Sequence, residues 1–321
     1  MADATTDAVG AVADELFDKY LLPKAALTVI LAASLVGTAL TLELTGQWAP
    51  LVAVTKWAYL VSLGVLLGGL LWKHAFVRPS DLADGAADYC DRMYARYDRI
   101  ATAALGGLAA TGAALLAVVY AGRVAPEMAA ALAASLALTV AAGAADTLGD
   151  REAADRFRTP AGLTALVGAA AATAATATAD VALAHGTGTA AAVRSLHLLA
   201  FGAWVGGAVW NIFVAVPTGQ TRPTPPVVQA AGEQLERFRW AVRAIIPTLV
   251  LTGLFQSVAV LGTRLAPYVE TVVGLAVLAK LGLVVVLFGI FLTCPMWRAC
   301  SPIDGVCDLA DLDAGTAEEA D

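Results

Sequence analysis

Charge is scarce in this chain. Only 15% of its 321 residues are Asp, Glu, Lys or Arg, against 59% hydrophobic, whereas soluble domains carry about 25% charged residues. With a mean hydropathy of +0.73, the composition excludes an ordinary soluble globular protein and places the chain among polytopic membrane proteins. The soft and imidazole metal ligands are few as well: four Cys, four Met and three His. That excludes a disulfide scaffold or a His-rich metal-binding tract. An excess of basic residues is also missing. The net charge is −7, carried by loops and tails, so no nucleic-acid partner is expected. No nucleophile–base constellation, phosphate loop or paired-carboxylate motif is present, and no enzyme activity is expected.

What the chain does have is long apolar runs. A bilayer asks for roughly 20 mostly apolar residues per helix, and the runs near 25–46, 52–76, 100–121, 127–146, 161–183, 193–216, 241–262 and 271–294 meet that length. The expected fold is an all-α membrane bundle of about eight transmembrane helices, with the lipid bilayer as its first partner. The N-terminus lacks a basic region and a cleavage site, so the first run reads as a retained helix. Residues 1–24 read as a cytoplasmic segment with an amphipathic stretch at Val9, Val12, Leu16 and Tyr20, or as a partly disordered acidic tail. Lys19, Arg78, Arg92, Arg158, Arg239 and Arg298 fall on one side of the spans, and Lys56, Arg123, Arg194 and Arg264 on the other. The basic-residue bias puts both termini in the cytoplasm, and the plasma membrane is the expected location.

A repeat is legible within the spans. Laying "KWAYLVSLGVLLGGLLWKHAFVRP" over "RSLHLLAFGAWVGGAVWNIFVAVP" puts Gly68-Gly69 on Gly206-Gly207, Lys56 on Arg194, Trp72 on Trp210 and Pro79 on Pro217. One loop later Arg96-Tyr97 meets Arg237-Phe238, and "ATG" ending at Gly112 meets "LTG" ending at Gly253. Two parallel four-helix repeats, 25–146 and 161–294, account for this. A cytoplasmic linker, 147–160, joins them, and a Cys-containing acidic tail, 295–321, follows. The paired glycines also suit plain helix packing.

Three stretches of the second half, "VRSLHLLAFGAWVGG", "RFRWAVRAIIPTLVLTGL" and "VVGLAVLAKLGLVVVLFGIF", together resemble the copper resistance protein D (CopD) family of integral membrane proteins, over about residues 190–292. The resemblance implies an eight-span bundle associated with copper uptake or tolerance. A copper ion is then the expected cofactor or cargo, and a copper-binding protein a candidate partner.

The residues allow such chemistry at two places. His197, Trp204 and Asn211 share one helix face, and a polar face should point into the bundle. A neutral imidazole ligates copper. The alternative for His197 is an interhelical hydrogen bond to Gln256 or Ser257. Lys280, within the last span, requires a counter-charge, for which Glu43 and Asp180 are candidates, or must snorkel to the interface. Asn211, Gln256 and Lys280 are thus the expected polar intramembrane set. At the end of the last span, "CPMWRAC" gathers Cys294, Met296 and Cys300, soft donors suited to Cu(I). The rest of the interior is poor in copper ligands. A b-type cytochrome is the rival reading, resting on His74, His185 and His197, but His74 and His197 fall at different depths. The third reading is a membrane scaffold or partner subunit docking through the acidic tail.

Overall fold

Four of the helices start on a proline. Pro50, Pro126, Pro160 and Pro225 each occupy a first helical position, where the missing N–H would have had no partner in any case. The computed structural model describes residues 21–78, 85–149, 153–222 and 224–293. Within them the chain forms eight helices long and apolar enough to cross a membrane. They are α1 (Leu21–Leu44), α2 (Pro50–Leu71), α3 (Ala87–Leu115), α4 (Pro126–Thr147), α5 (Pro160–Leu183), α6 (Gly188–Val209), α7 (Pro225–Leu261) and α8 (Val272–Thr293). No strand occurs among the described residues. The protein is therefore an all-α, multi-pass membrane bundle, since only a helix satisfies its own backbone in lipid. We call the end of the bundle where α1 begins its near face, and the other its far face.

Helices α2 and α6 form the central pair, with α4 and α5 packed together beside them and α8 against α1. Glycine permits the central crossing. A Cβ placed on Gly68 would lie 2.6 Å from the Cα of Gly206, and one on Gly64 would lie 3.3 Å from the Cα of Gly202. By contrast, Gly106 of α3 has nothing within 4 Å of a built Cβ. Gly68→Ala is therefore expected to destabilise the protein by about 1–3 kcal/mol through overpacking. Gly106→Ala should be neutral or stabilising by up to about 1 kcal/mol. Unfolding in mixed detergent micelles compares the two, and equal effects would contradict the tight crossing.

Both central helices widen at their near ends. After α2 the segment Trp72–Phe76 winds as a π-helix, and after α6 so does Trp210–Ala215, which runs on as helix Val216–Thr221. These two π-segments begin at the tryptophans that the internal alignment pairs. Arginines that the alignment also pairs then bridge the halves. Arg96 of α3 donates to the carbonyl of Phe213, and Arg237 of α7 donates to the carbonyl of Phe76. The rings follow the same exchange: Tyr97 lies 5.2 Å from Trp210, and Phe238 lies 5.5 Å from Trp72. A π-turn loosens the regular ladder, and each arginine meets a carbonyl within the opposite segment.

Two helices begin earlier than apolar runs near 100–121 and 241–262 suggest. α3 starts at Ala87 and α7 at Pro225, because their first turns are polar and carry no hydropathy signal. Packing holds those turns: Tyr89, Met93 and Tyr94 are fully buried, and the Tyr89 hydroxyl donates to the carbonyl of Ala215. Cys90, which reads as a loop cysteine in the sequence, is likewise buried within α3.

Candidate functional site

Charges inside the bundle collect in two networks, one towards each face. Lys56 and Lys73 of the central helix stand 17 residues apart, about 25 Å along the axis at the usual rise. Each is fully buried. An ammonium in that position requires opposite charge close by.

In the far network that charge is Asp180, three residues from the end of α5. Its Oδ1 pairs with the Lys56 amine and accepts from the Tyr120 hydroxyl at 2.8 Å. Its Oδ2 pairs with the Arg194 guanidinium at 2.8 Å. Arg194 also donates to Thr41 of α1 at 2.9 Å, so one carboxylate ties α2, α5 and α6 together and α1 through the guanidinium. The Lys56 ammonium lies 5.5 Å from the centre of the Tyr120 ring, within cation–π range. Two cations share a single carboxylate here.

The near network is balanced. Lys73, in the π-segment, bridges Asp98 of α3 at 3.1 Å and Asp146 of α4 at 2.7 Å. Asp98 is met on its other oxygen by Arg156 at 3.4 Å. Thr159, the N-cap of α5, accepts from the Gly162 N–H at 2.9 Å and donates its hydroxyl to Asp146, joining helix capping to charge pairing. Beside them the backbone N–H of Arg158 donates to His74 Nδ1 at 3.1 Å. That nitrogen is an acceptor, so the ring proton sits on Nε2, 3.5 Å from Asp146. The linker between the halves is thus part of the network through Arg156, Arg158 and Thr159.

His197 stands one turn deeper than Arg194 on α6. Its Nδ1 lies 2.8 Å from the Thr252 hydroxyl on α7. Thr252 already donates to the carbonyl of Thr248, so the hydroxyl oxygen accepts and His197 Nδ1 carries the proton. Nε2 is left with its lone pair. The expected interhelical bond exists, but its partner is Thr252 rather than Gln256 or Ser257. Gln256 donates to its own helix, at the Thr252 carbonyl, 3.0 Å away, and Ser257 bonds the Gly253 carbonyl at 2.8 Å. Asn211 is buried as expected but bonds within its helix, to the Gly207 carbonyl at 2.8 Å, and makes no polar contact with His197.

Lys280 has neither expected counter-charge. Asp180 is held by Lys56 and Arg194, and Glu43 is exposed. The Lys280 amine points at α1 instead, 3.0 Å from where a Cβ on Gly37 would stand. Cys294, Met296 and Cys300 lie outside the described residues. Among the described residues no three or more His, Cys, Asp or Glu side chains form a group able to hold a metal ion. His74 and His197 belong to opposite halves of the bundle, and His185 lies in the turn between α5 and α6.

Sequence reasoning overlooked most of the network residues. Lys73, Asp98 and Asp146 went unremarked, although Lys73 and Asp146 fall inside or at the edge of the apolar runs, where an ionisable residue is costly. Lys56 and Arg194 had a second signal, since the alignment of the halves superposes them. Comparison with family models, with curated proteins and with solved structures finds no match to this chain.

Proposed function

We propose that the chain is a transport protein of the plasma membrane that handles copper, and that its two ion-pair networks are the far and near gates of the pathway. The observation that carries the transport reading is the placement of two buried charge networks at opposite ends of one glycine-lined helix pair. Each network ties three or more helices through side chains that can exchange partners. Duplicated halves with exchanged arginine and aromatic contacts fit a bundle that rocks about its centre.

Copper is the cargo that the resemblance to CopD implies. The tautomer of His197 supports it: Thr252 fixes the Nδ1 proton and orients the ring, the arrangement by which an outer hydrogen bond prepares Nε2 to ligate a metal. Cys294, Met296 and Cys300, which follow α8 in the sequence, would supply soft donors.

The purified protein in liposomes loaded with a copper-sensitive dye tests this reading. Saturable copper entry is expected, falling at least about ten-fold in His197→Ala, the loss of one ligand bond. Entry no faster than into protein-free liposomes would overturn transport. Saturable entry equal in parent and variant would remove His197 from the pathway.

A further inference from the structure

The far half of the bundle has more positive charge than its carboxylates balance. Lys56 is fully buried, Arg194 and Lys280 are half-buried with their charged ends against Asp180 and Gly37, and among the described residues Asp180 is the only carboxylate buried beside them. The other acidic side chains of the described far half, Glu43, Glu127 and Glu270, are exposed, as are the remaining cations Arg123 and Arg264. Two donors are left over. Arg194 spends Nη2 on Asp180 and Thr41, while its Nε is buried with no acceptor. Lys280 has no hydrogen bond or ion pair among the described residues.

Snorkelling does not relieve Lys280. Its amine meets α1 at Gly37, seven residues before the end of that helix at Leu44, about 10 Å below the far end at 1.5 Å per residue. Gly37 and Thr41 are one turn apart, with the Thr41 hydroxyl bonded to the Gly37 carbonyl at 2.8 Å. Thr41 is where Arg194 docks. The two unspent cationic donors therefore flank the same turn of α1. Gly37 leaves room for the amine, since any Cβ there would press on it.

We infer that Lys280 and Arg194, across Gly37 and Thr41 of α1, form a binding site for an oxyanion of the phosphate type. A guanidinium Nε–H and an ammonium offer charge-assisted hydrogen bonds suited to such a group. Lys280 is half-buried, so protein does not seal the site. Free phosphate and the phosphate of a lipid headgroup share this chemistry. The site stands apart from the copper reading: it takes an anion whether or not a metal binds His197.

Isothermal titration of the purified full chain, in an uncharged maltoside detergent, tests the site. Sodium phosphate and a short-chain phosphatidylglycerol are titrated separately, with sodium chloride as the ionic control. One saturable site per chain is expected for at least one of the two phosphates. Lys280→Met should weaken it roughly ten- to a hundred-fold, as the loss of one charged hydrogen bond implies, while Lys280→Arg should stay within several-fold of the parent. Saturation by inorganic phosphate assigns a solute anion, and saturation by the lipid alone assigns a headgroup; both uphold the site. Absence of saturable binding in either arm, or equal affinity in Lys280→Met and the parent, overturns it.

Discussion

Replacing Asp180 with asparagine is expected to cost about 3–5 kcal/mol of stability, the usual result of removing one partner from a buried ion pair. The carboxylate receives Lys56, Arg194 and Tyr120. Without its charge, two cations remain inside the bundle with no counter-ion. Asparagine keeps the volume and can still accept from Tyr120, so the loss reports charge and not packing. The measurement is equilibrium unfolding in mixed detergent micelles, with a double-mutant cycle on Lys56→Met. The double variant leaves only Arg194 unpaired, and it should recover at least about 1.5 kcal/mol relative to additivity, as contacting residues do. A single-mutant cost below about 1 kcal/mol, typical of a solvated pair, would show that water reaches the network and that it does not close the far end.

The fold was legible in the sequence because lipid imposes a simple rule: a span must be long, apolar and helical. The runs that carry α1, α2, α4, α5, α6 and α8 stand out by hydropathy alone. The same rule is silent about the near ends of α3 and α7. There, residues such as Asp91, Arg92 and Arg96 make the helix polar on one face, while Tyr89, Met93 and Tyr94 bury the other. The near network was hidden for a different reason. Asp98, Asp146 and Lys73 lie 25 and 48 residues from one another along the chain, and nothing in their spacing says that three helices bring them to one point. Lys280 shows the opposite case. Its position inside an apolar run announces it, yet Asp180, its best candidate partner by depth, is claimed by two nearer cations. Thr252 was within reach of the sequence, being the threonine of the "LTG" motif, but an expectation built on Gln256 and Ser257 passed over it by one turn.

At the opposite face, Lys73→Met should have an effect of similar size and a conformational consequence as well. Among the described residues Lys73 is the only cation that joins the α2 end to both Asp98 on α3 and Asp146 on α4. Methionine fills the same space with no charge, leaving Asp98 with Arg156 at 3.4 Å, and Asp146 with the Thr159 hydroxyl and His74 Nε2 at 3.5 Å. A cost of about 3–5 kcal/mol is expected from the broken pairs, and the Lys73 bonds that held α3 are lost. Cys90 reports that release, because it sits on α3 two turns nearer the face than Asp98 and is fully buried. In a background with Cys294, Cys300 and Cys307 changed to serine, a maleimide should label Cys90 slowly. Adding Lys73→Met should raise the rate at least about ten-fold, since a local opening weakened by 1.4 kcal/mol is populated ten times more. Faster labelling with little change in global unfolding would identify the near network as a gate that opens by itself. Unchanged labelling beside a large global loss would make it a structural tie and nothing more, and the near gate would have to be sought elsewhere in the bundle.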